Sequence, residues 1–120
     1  MGGFTIVYGS GYGEWHRYEV RMMCEMQDES GSRSGFASTS EKDERGCSVL
    51  RTGECSRVRL FVYVIPEILP AERMVERCVD FASELRVEYA GAEIVRERLM
   101  INPWGGTSVE MLFDSDGLLR

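Results

Sequence analysis

The stretch RVRLFVYVI, residues 57–65, constrains the fold most, because it contains the longest apolar run of the chain and is rich in β-branched and aromatic residues. Successive side chains of a strand point to opposite faces. One face would be purely aliphatic, with Val58, Leu60, Val62 and Val64. The other face would carry Arg59, Phe61 and Tyr63. This pattern predicts a strand in the middle of a sheet with partial cover on both faces.

Four further segments favour strands. FTIVY at 4–8 alternates in the same way, and 92–101 and 107–113 form two apolar stretches joined by NPWGG, a turn-forming sequence. In residues 15–26, alternate positions from Tyr18 to Met26 are apolar, which favours a strand. A helix is the alternative prediction for this segment, because Met, Glu and Arg are good helix formers. The joined segments 92–101 and 107–113 are expected to form a hairpin.

The segment 70–91 is expected to form the helix of the protein. Pro70 suits a first helical position and Gly91 a C-terminal cap. Apolar residues recur between them at intervals of three and four, at Met74, Cys78, Phe81, Ala82, Leu85 and Tyr89. Such a stripe would pack the helix across one face of a sheet.

These elements predict a single α+β domain over residues 1–120. Its antiparallel β-sheet would have about five strands, with one helix packed across one face and the order β-β-(loop)-β-α-β-β. One helix covers only one face. Apolar residues expected on the second face therefore indicate a homodimer or a partner protein: Met23, Phe61, Tyr63, Val95 and Leu99.

Residues 27–46 are expected to form a flexible loop within this domain. The segment is rich in Ser, Gly and acidic residues and holds almost nothing apolar except Phe36 and Ala37. Such a composition supplies no core, and long loops of this kind are disordered or functional.

Charge and hydropathy limit the classes of partner. The formal net charge is −6, so attraction to nucleic acid is not expected and a basic partner is favoured. The longest apolar run, residues 60–65, is far shorter than the roughly 20 residues that span a bilayer. The N-terminus also lacks the layout of a secretory signal. We therefore expect a cytoplasmic protein without membrane association.

The four cysteines do not have the spacing of a metal site. Cys24, Cys47, Cys55 and Cys78 include no CxxC pair, and zinc sites draw ligands from such tight turns. We interpret them as free or buried thiols, with a disulfide between Cys47 and Cys55 as the alternative. No metal and no cofactor are expected.

The stretch YGSGYGEW, residues 8–15, raises the question of nucleotide binding. Its glycines at 9, 11 and 13 give GxGxG, whereas the dinucleotide motif is GxGxxG between a strand and a helix. Because a strand is favoured after these glycines, we interpret Gly9–Gly13 as a hairpin loop. The alternative is a small cytosolic enzyme or a small-ligand (nucleotide) domain that uses this loop. Beyond the single histidine, His16, no catalytic group stands out, so the sequence favours a non-catalytic protein.

Both tryptophans fall at glycine-rich turns, where aromatic side chains often anchor protein interfaces. Trp15 and Trp104, with Tyr12 and Glu14 beside the first, are therefore the candidate binding residues. The competing interpretation folds each ring back over the sheet as ordinary packing. We predict a non-catalytic protein-binding module, such as an inhibitor, immunity or adaptor protein, that acts on a partner protein.

Overall fold

A computed structural model describes residues 3–67, 79–103 and 107–119 of the chain. These residues form nine strands and one short 3₁₀ helix, Trp15–Arg17. The strands are β1 (Phe4–Gly9), β2 (Tyr18–Gln27), β3 (Arg33–Thr39), β4 (Ser48–Arg51), β5 (Arg57–Pro66), β6 (Phe81–Tyr89), β7 (Ala92–Ile101), β8 (Thr107–Asp114) and β9 (Gly117–Leu118).

The strands form two antiparallel sheets. The four-stranded sheet has the order β4-β1-β6-β7, and the five-stranded sheet has the order β3-β2-β5-β8-β9. Each sheet turns one face toward a shared apolar core, which makes the fold a β-sandwich. Phe4 of one sheet contacts Phe113 of the other, with ring centroids 5.4 Å apart.

Alternation in the sequence explains the core. In β5, Val58, Leu60, Val62 and Val64 are buried, as the sequence predicts, and β5 lies in the middle of its sheet. The alternation in residues 18–26 also corresponds to a strand, β2. Both strand predictions are confirmed.

The predicted α+β class is wrong, because the described residues contain no α-helix. Residues 81–89 of the predicted helix form β6, whereas its residues 70–78 lie outside the described residues. The same sequence also alternates, with Phe81, Ser83, Leu85 and Val87 buried against the other sheet. The structure of this segment therefore follows the apolar period of two, typical of a strand, rather than the period near 3.6, typical of a helix.

Gly91 has a positive φ of 82°, as a helix cap would, but it serves a different purpose. With Ala90, whose φ is 53°, it forms the two-residue turn between β6 and β7. Positive φ at both central positions is the requirement of a type I′ hairpin turn.

Two connections expected as hairpins join the two sheets instead. The Gly9–Gly13 loop leads from β1 in the four-stranded sheet to β2 in the five-stranded sheet, and the consecutive strands β7 and β8 likewise belong to different sheets. Each connected pair therefore lies on opposite sides of the core. Turn-forming residues mark where a chain reverses, and they do not determine which strand it pairs with next.

Residues 27–46, expected to be a flexible loop, contain the paired strand β3. β3 needs little apolar sequence, because it is an edge strand whose side chains are mostly exposed or half-buried. Its backbone pairs with β2 from Met22↔Thr39 to Gln27↔Arg33. The prediction of an unstructured segment is thus corrected at 33–39.

Candidate functional site

Trp15, the first predicted interface anchor, lies in the core. Only 4% of its surface is exposed, and its ring contacts Tyr8, Tyr18 and Phe81. The indole Nε1–H donates a hydrogen bond of 2.9 Å to the carbonyl of Gly46. This ring therefore offers almost no area to a partner.

Lys42 packs over the ring of Trp15. Its Nζ lies 4.6 Å from the Trp15 ring centroid and donates to the carbonyls of Trp15 and Tyr18. Burial lowers the pKa of Lys42 below its usual value, an effect that Glu67 opposes. The lysine thus provides a donor to two backbone carbonyls at the start of β2.

The other predicted site residues are less enclosed. Tyr12 is half-buried and stacks on Phe81 with centroids 4.2 Å apart. The Glu14 carboxylate pairs with Arg17 at 2.9 Å. Trp104 lies outside the described residues, so its part in a binding surface stays a prediction. The exposed His16 has no catalytic neighbour among the contacts of the described chain.

A larger apolar surface lies on the outer side of the five-stranded sheet. We call it the apolar face, and its members are Met23, Phe36, Phe61, Tyr63 and Ile65. Four of them are exposed, by 43% at Met23, 57% at Phe36, 37% at Tyr63 and 41% at Ile65. Phe61 is half-buried between them.

Register explains why these side chains gather. Phe61, Tyr63 and Ile65 are successive outward residues of β5, so they form a line along the middle of the sheet. Met23 of β2 lies directly opposite Phe61. Phe36 of β3 lies opposite Glu25 of β2, on the same outer face and diagonal to Met23.

Charged side chains surround the apolar face and pair among themselves. Arg21 contacts Glu19 at 2.8 Å, and Arg59 contacts Glu110 at 3.5 Å. The guanidinium of Arg33 lies over the Phe36 ring, 4.6 Å from its centroid. These residues provide a rim that is polar and close to neutral.

A surface depression adjoins the apolar face where β3 ends. Met23 lines it together with Arg21, Ser38, Thr39 and Glu41, and its volume is about 620 Å³. The depression is large enough to receive a side chain from a partner.

Part of the apolar face is predicted by the sequence. Met23, Phe61 and Tyr63 were expected on a second, partly apolar sheet face, and they lie together there. Val95 and Leu99 belong to β7 of the other sheet, and Val95 is buried. Phe36 is not among the predicted residues of this face, because the composition of 27–46 indicates a loop; an aromatic residue within a polar stretch is the signal that points to it.

A second depression, of about 540 Å³, lies on the outer side of the four-stranded sheet. It adjoins Gly9, whose missing side chain leaves room beside the Cys47 thiol; a Cβ there would lie 2.9 Å from Sγ. Glu84, Arg86 and Arg98 also line it. Glu84 is engaged by Arg96 at 2.6 Å, which leaves the two lining arginines as its distinctive groups.

The described cysteines, Cys24, Cys47 and Cys55, are free thiols. Burial raises the pKa of Cys24 to about 11, so this thiol stays protonated at neutral pH. In the described part of the chain, no group of three or more His, Cys, Asp or Glu residues is placed to hold a metal ion. No helix there is long and apolar enough to cross a membrane.

No protein-family model matches the chain, and no curated protein matches it. Among solved structures, the chain is similar to a domain of unknown function, DUF4425, from Bacteroides vulgatus. That likeness has a TM-score of 0.63 and 12% identity, and it covers 95% of this chain and 96% of the other. A DUF4425 family protein from Bacteroides ovatus gives a TM-score of 0.54 and 15% identity over 93% and 92% of the two chains. At these identities the likeness shows the fold alone: the chain shares the fold of the DUF4425 structures.

Proposed function

We propose that this chain is a non-catalytic protein-binding module that engages another protein through the apolar face. The observation that carries the proposal is the gathering of five apolar side chains, four of them exposed, on the outer side of one sheet. Contiguous apolar patches with a polar rim are a feature of protein interaction sites. An inhibitor, immunity protein or adaptor could engage its partner through such a surface.

The position of the apolar face on paired strands supports this proposal. β2 and β5 are paired over ten consecutive positions, from Tyr18↔Pro66 to Gln27↔Arg57. Side chains on such a scaffold lose little backbone freedom on binding, which lowers the entropic cost of association. The depression beside Met23 would then receive one anchoring side chain of the partner.

Electrostatics indicate the kind of partner. The formal net charge of −6 favours encounter with a basic protein over long range, whereas the near-neutral rim accepts mixed charges at contact. A second copy of this chain would meet the repulsion of like net charge. We therefore favour a different protein as the partner over a homodimer.

The proposal is tested with two exposed methionines on opposite sides of the molecule. Met23→Lys places a charge in the apolar face, and Met100→Lys is the matched control on β7, where Met100 is 50% exposed. The native chain and both variants are immobilised and used to capture proteins from a lysate of the source cell. A protein retained by the native chain and by Met100→Lys but lost with Met23→Lys supports the proposal. Equal capture by all three forms contradicts it.

Binding of a small anion is the second candidate function, favoured by Arg86 and Arg98 in the depression beside Gly9. Calorimetric titration with inorganic phosphate and with ATP tests it. Heat that is lost in the double variant Arg86→Ala/Arg98→Ala would support this function, and no heat with either anion would contradict it.

A further inference from the structure

Strand β8 has an open edge. On one side it pairs with β5 from Val64↔Thr107 to Arg57↔Asp114. On the other side, β9 pairs only with Phe113 and Asp114, and the N–H of Leu119 donates to the carbonyl of Leu112 at 2.7 Å. Within the described residues, no strand pairs with residues 107–111 on that side.

The direction of the Leu112 carbonyl identifies the exposed backbone groups. It points toward β9 and away from β5, because it accepts from Leu119. Backbone groups of successive strand residues point alternately to either side. The N–H and C=O of Ser108 and Glu110 therefore point to the open edge, whereas those of Val109 and Met111 point to β5.

The apolar layer is also incomplete at this edge. Val109 and Met111 lie opposite Val62 and Leu60 of β5, which are buried, yet both are only half-buried. Val109 and Met111 thus become less buried along the part of β8 that β9 does not reach. An added strand would shield the exposed flanks of both side chains.

β7 of the four-stranded sheet lies beside β9, since a Cβ at Gly117 would lie 3.4 Å from the carbonyl oxygen of Ile94. Glu97 lies opposite Leu85, a fully buried core residue, so its position belongs to the inner face of the sheet. It is half-buried, with no hydrogen bond or ion pair among the described residues. A carboxylate at this inner position of the opposite sheet favours, at the edge of β8, a segment that carries the opposite charge.

We infer that the open edge of β8 binds an extended segment of another protein by strand addition. The segment would continue the line of β9, pair with the backbone groups of Ser108 and Glu110, and cover Val109 and Met111 with apolar side chains. A lysine or arginine on its inward side would meet Glu97. The edge is a different surface from the apolar face, so this inference and the proposed function can fail separately.

A phage-displayed library of random 12-residue peptides supplies the probe. We expect the selected peptides to alternate apolar and polar residues, with a basic residue among the apolar ones. Their affinities for the native chain and its variants are then measured with synthetic copies. Met23→Lys should leave these affinities unchanged, which separates the edge from the apolar face.

Glu110→Pro removes one edge-facing N–H and leaves the β5-facing groups in place, a substitution that edge strands tolerate. Glu110→Ala is the matched control for loss of the side chain. We expect Glu110→Pro to weaken peptide binding by about tenfold or more. The substitution removes one hydrogen bond to the peptide, and the proline ring obstructs the approach of the peptide strand. Glu110→Ala should bind as the native chain does, and Glu97→Gln should lose the preference for basic peptides.

Amide hydrogen exchange on the native chain provides a reading that needs no variant. With a selected peptide bound, the amides of Ser108 and Glu110 should exchange more slowly than in the free chain. Failure to select any peptide, equal binding by Glu110→Pro and Glu110→Ala, or unchanged exchange at Ser108 and Glu110 would each overturn the inference.

Discussion

Replacing Trp15 by alanine should destabilise the protein strongly. The ring is 4% exposed and packs against three other aromatic rings, so its removal leaves a cavity in the core. Removing a buried tryptophan costs about 3–5 kcal/mol in the free energy of unfolding. Loss of the indole hydrogen bond to Gly46 belongs to the same change, and Lys42 loses the ring beneath its ammonium. We expect a loss of about 4 kcal/mol, a large part of the 5–15 kcal/mol typical of a domain.

Two control variants separate the causes. Trp15→Phe keeps an aromatic ring but removes the Nε1–H donor, and we expect a smaller loss, of about 1–2 kcal/mol. Tyr63→Ala removes an aromatic residue from the apolar face, where the side chain is 37% exposed. Its cost should be below about 1 kcal/mol, since substitutions at exposed positions have small effects.

Urea unfolding, followed by far-ultraviolet circular dichroism, gives the free energy of unfolding of the native chain and of the three variants by linear extrapolation. A loss in Trp15→Ala no larger than in Tyr63→Ala would refute the assignment of Trp15 to the core. It would restore this residue as a candidate interface anchor.

Three further predictions follow from individual side chains. Tyr8→Phe removes a hydroxyl that donates to Ser83 at 2.7 Å and should cost about 1 kcal/mol near pH 7. Burial raises the pKa of Tyr8 from 10.0 to about 12, so native stability should fall as the pH rises through that range, and less in Tyr8→Phe than in the native chain. A maleimide should modify the half-buried Cys47 before the buried Cys24, as read by peptide mass spectrometry; the reverse order would contradict their assigned exposures. Trp104→Ala should weaken partner capture by about tenfold while leaving the melting temperature unchanged, and a large drop in melting temperature with capture intact would make Trp104 a packing residue.

Local patterns predicted the strands whose alternation is uninterrupted. β5 and β2 were recognisable because every second residue is apolar over much of their length. The sequence of β6 also fits a helix, since Phe81, Leu85 and Tyr89 satisfy a spacing of four as well as a spacing of two. A glycine with positive φ at position 91 suited both interpretations. Only pairing with β1 and β7 resolves such a segment, and that information is nonlocal.

The division of the strands between two sheets could not be predicted from the sequence, for a related reason. A turn such as Gly9–Gly13 can return a strand to its neighbour or carry it across the core, and both outcomes use the same residues. Placement of Trp15 depended on this choice, because crossing between sheets carries its ring inside. The apolar face was partly predictable, since alternation in β5 placed Phe61 and Tyr63 on one side whatever the topology.

The central claim is that the apolar face contacts another protein, and site-specific photo-crosslinking tests it most directly. A benzophenone amino acid is placed at position 63 in the apolar face, or at the exposed position 98 of β7 on the opposite side. Each protein is irradiated in a lysate of the source cell, and the adducts are identified by mass spectrometry. The account predicts an adduct with one other protein from position 63 and none from position 98. An adduct from position 98 alone, no adduct from either position, or an adduct of twice the chain's own mass would contradict it.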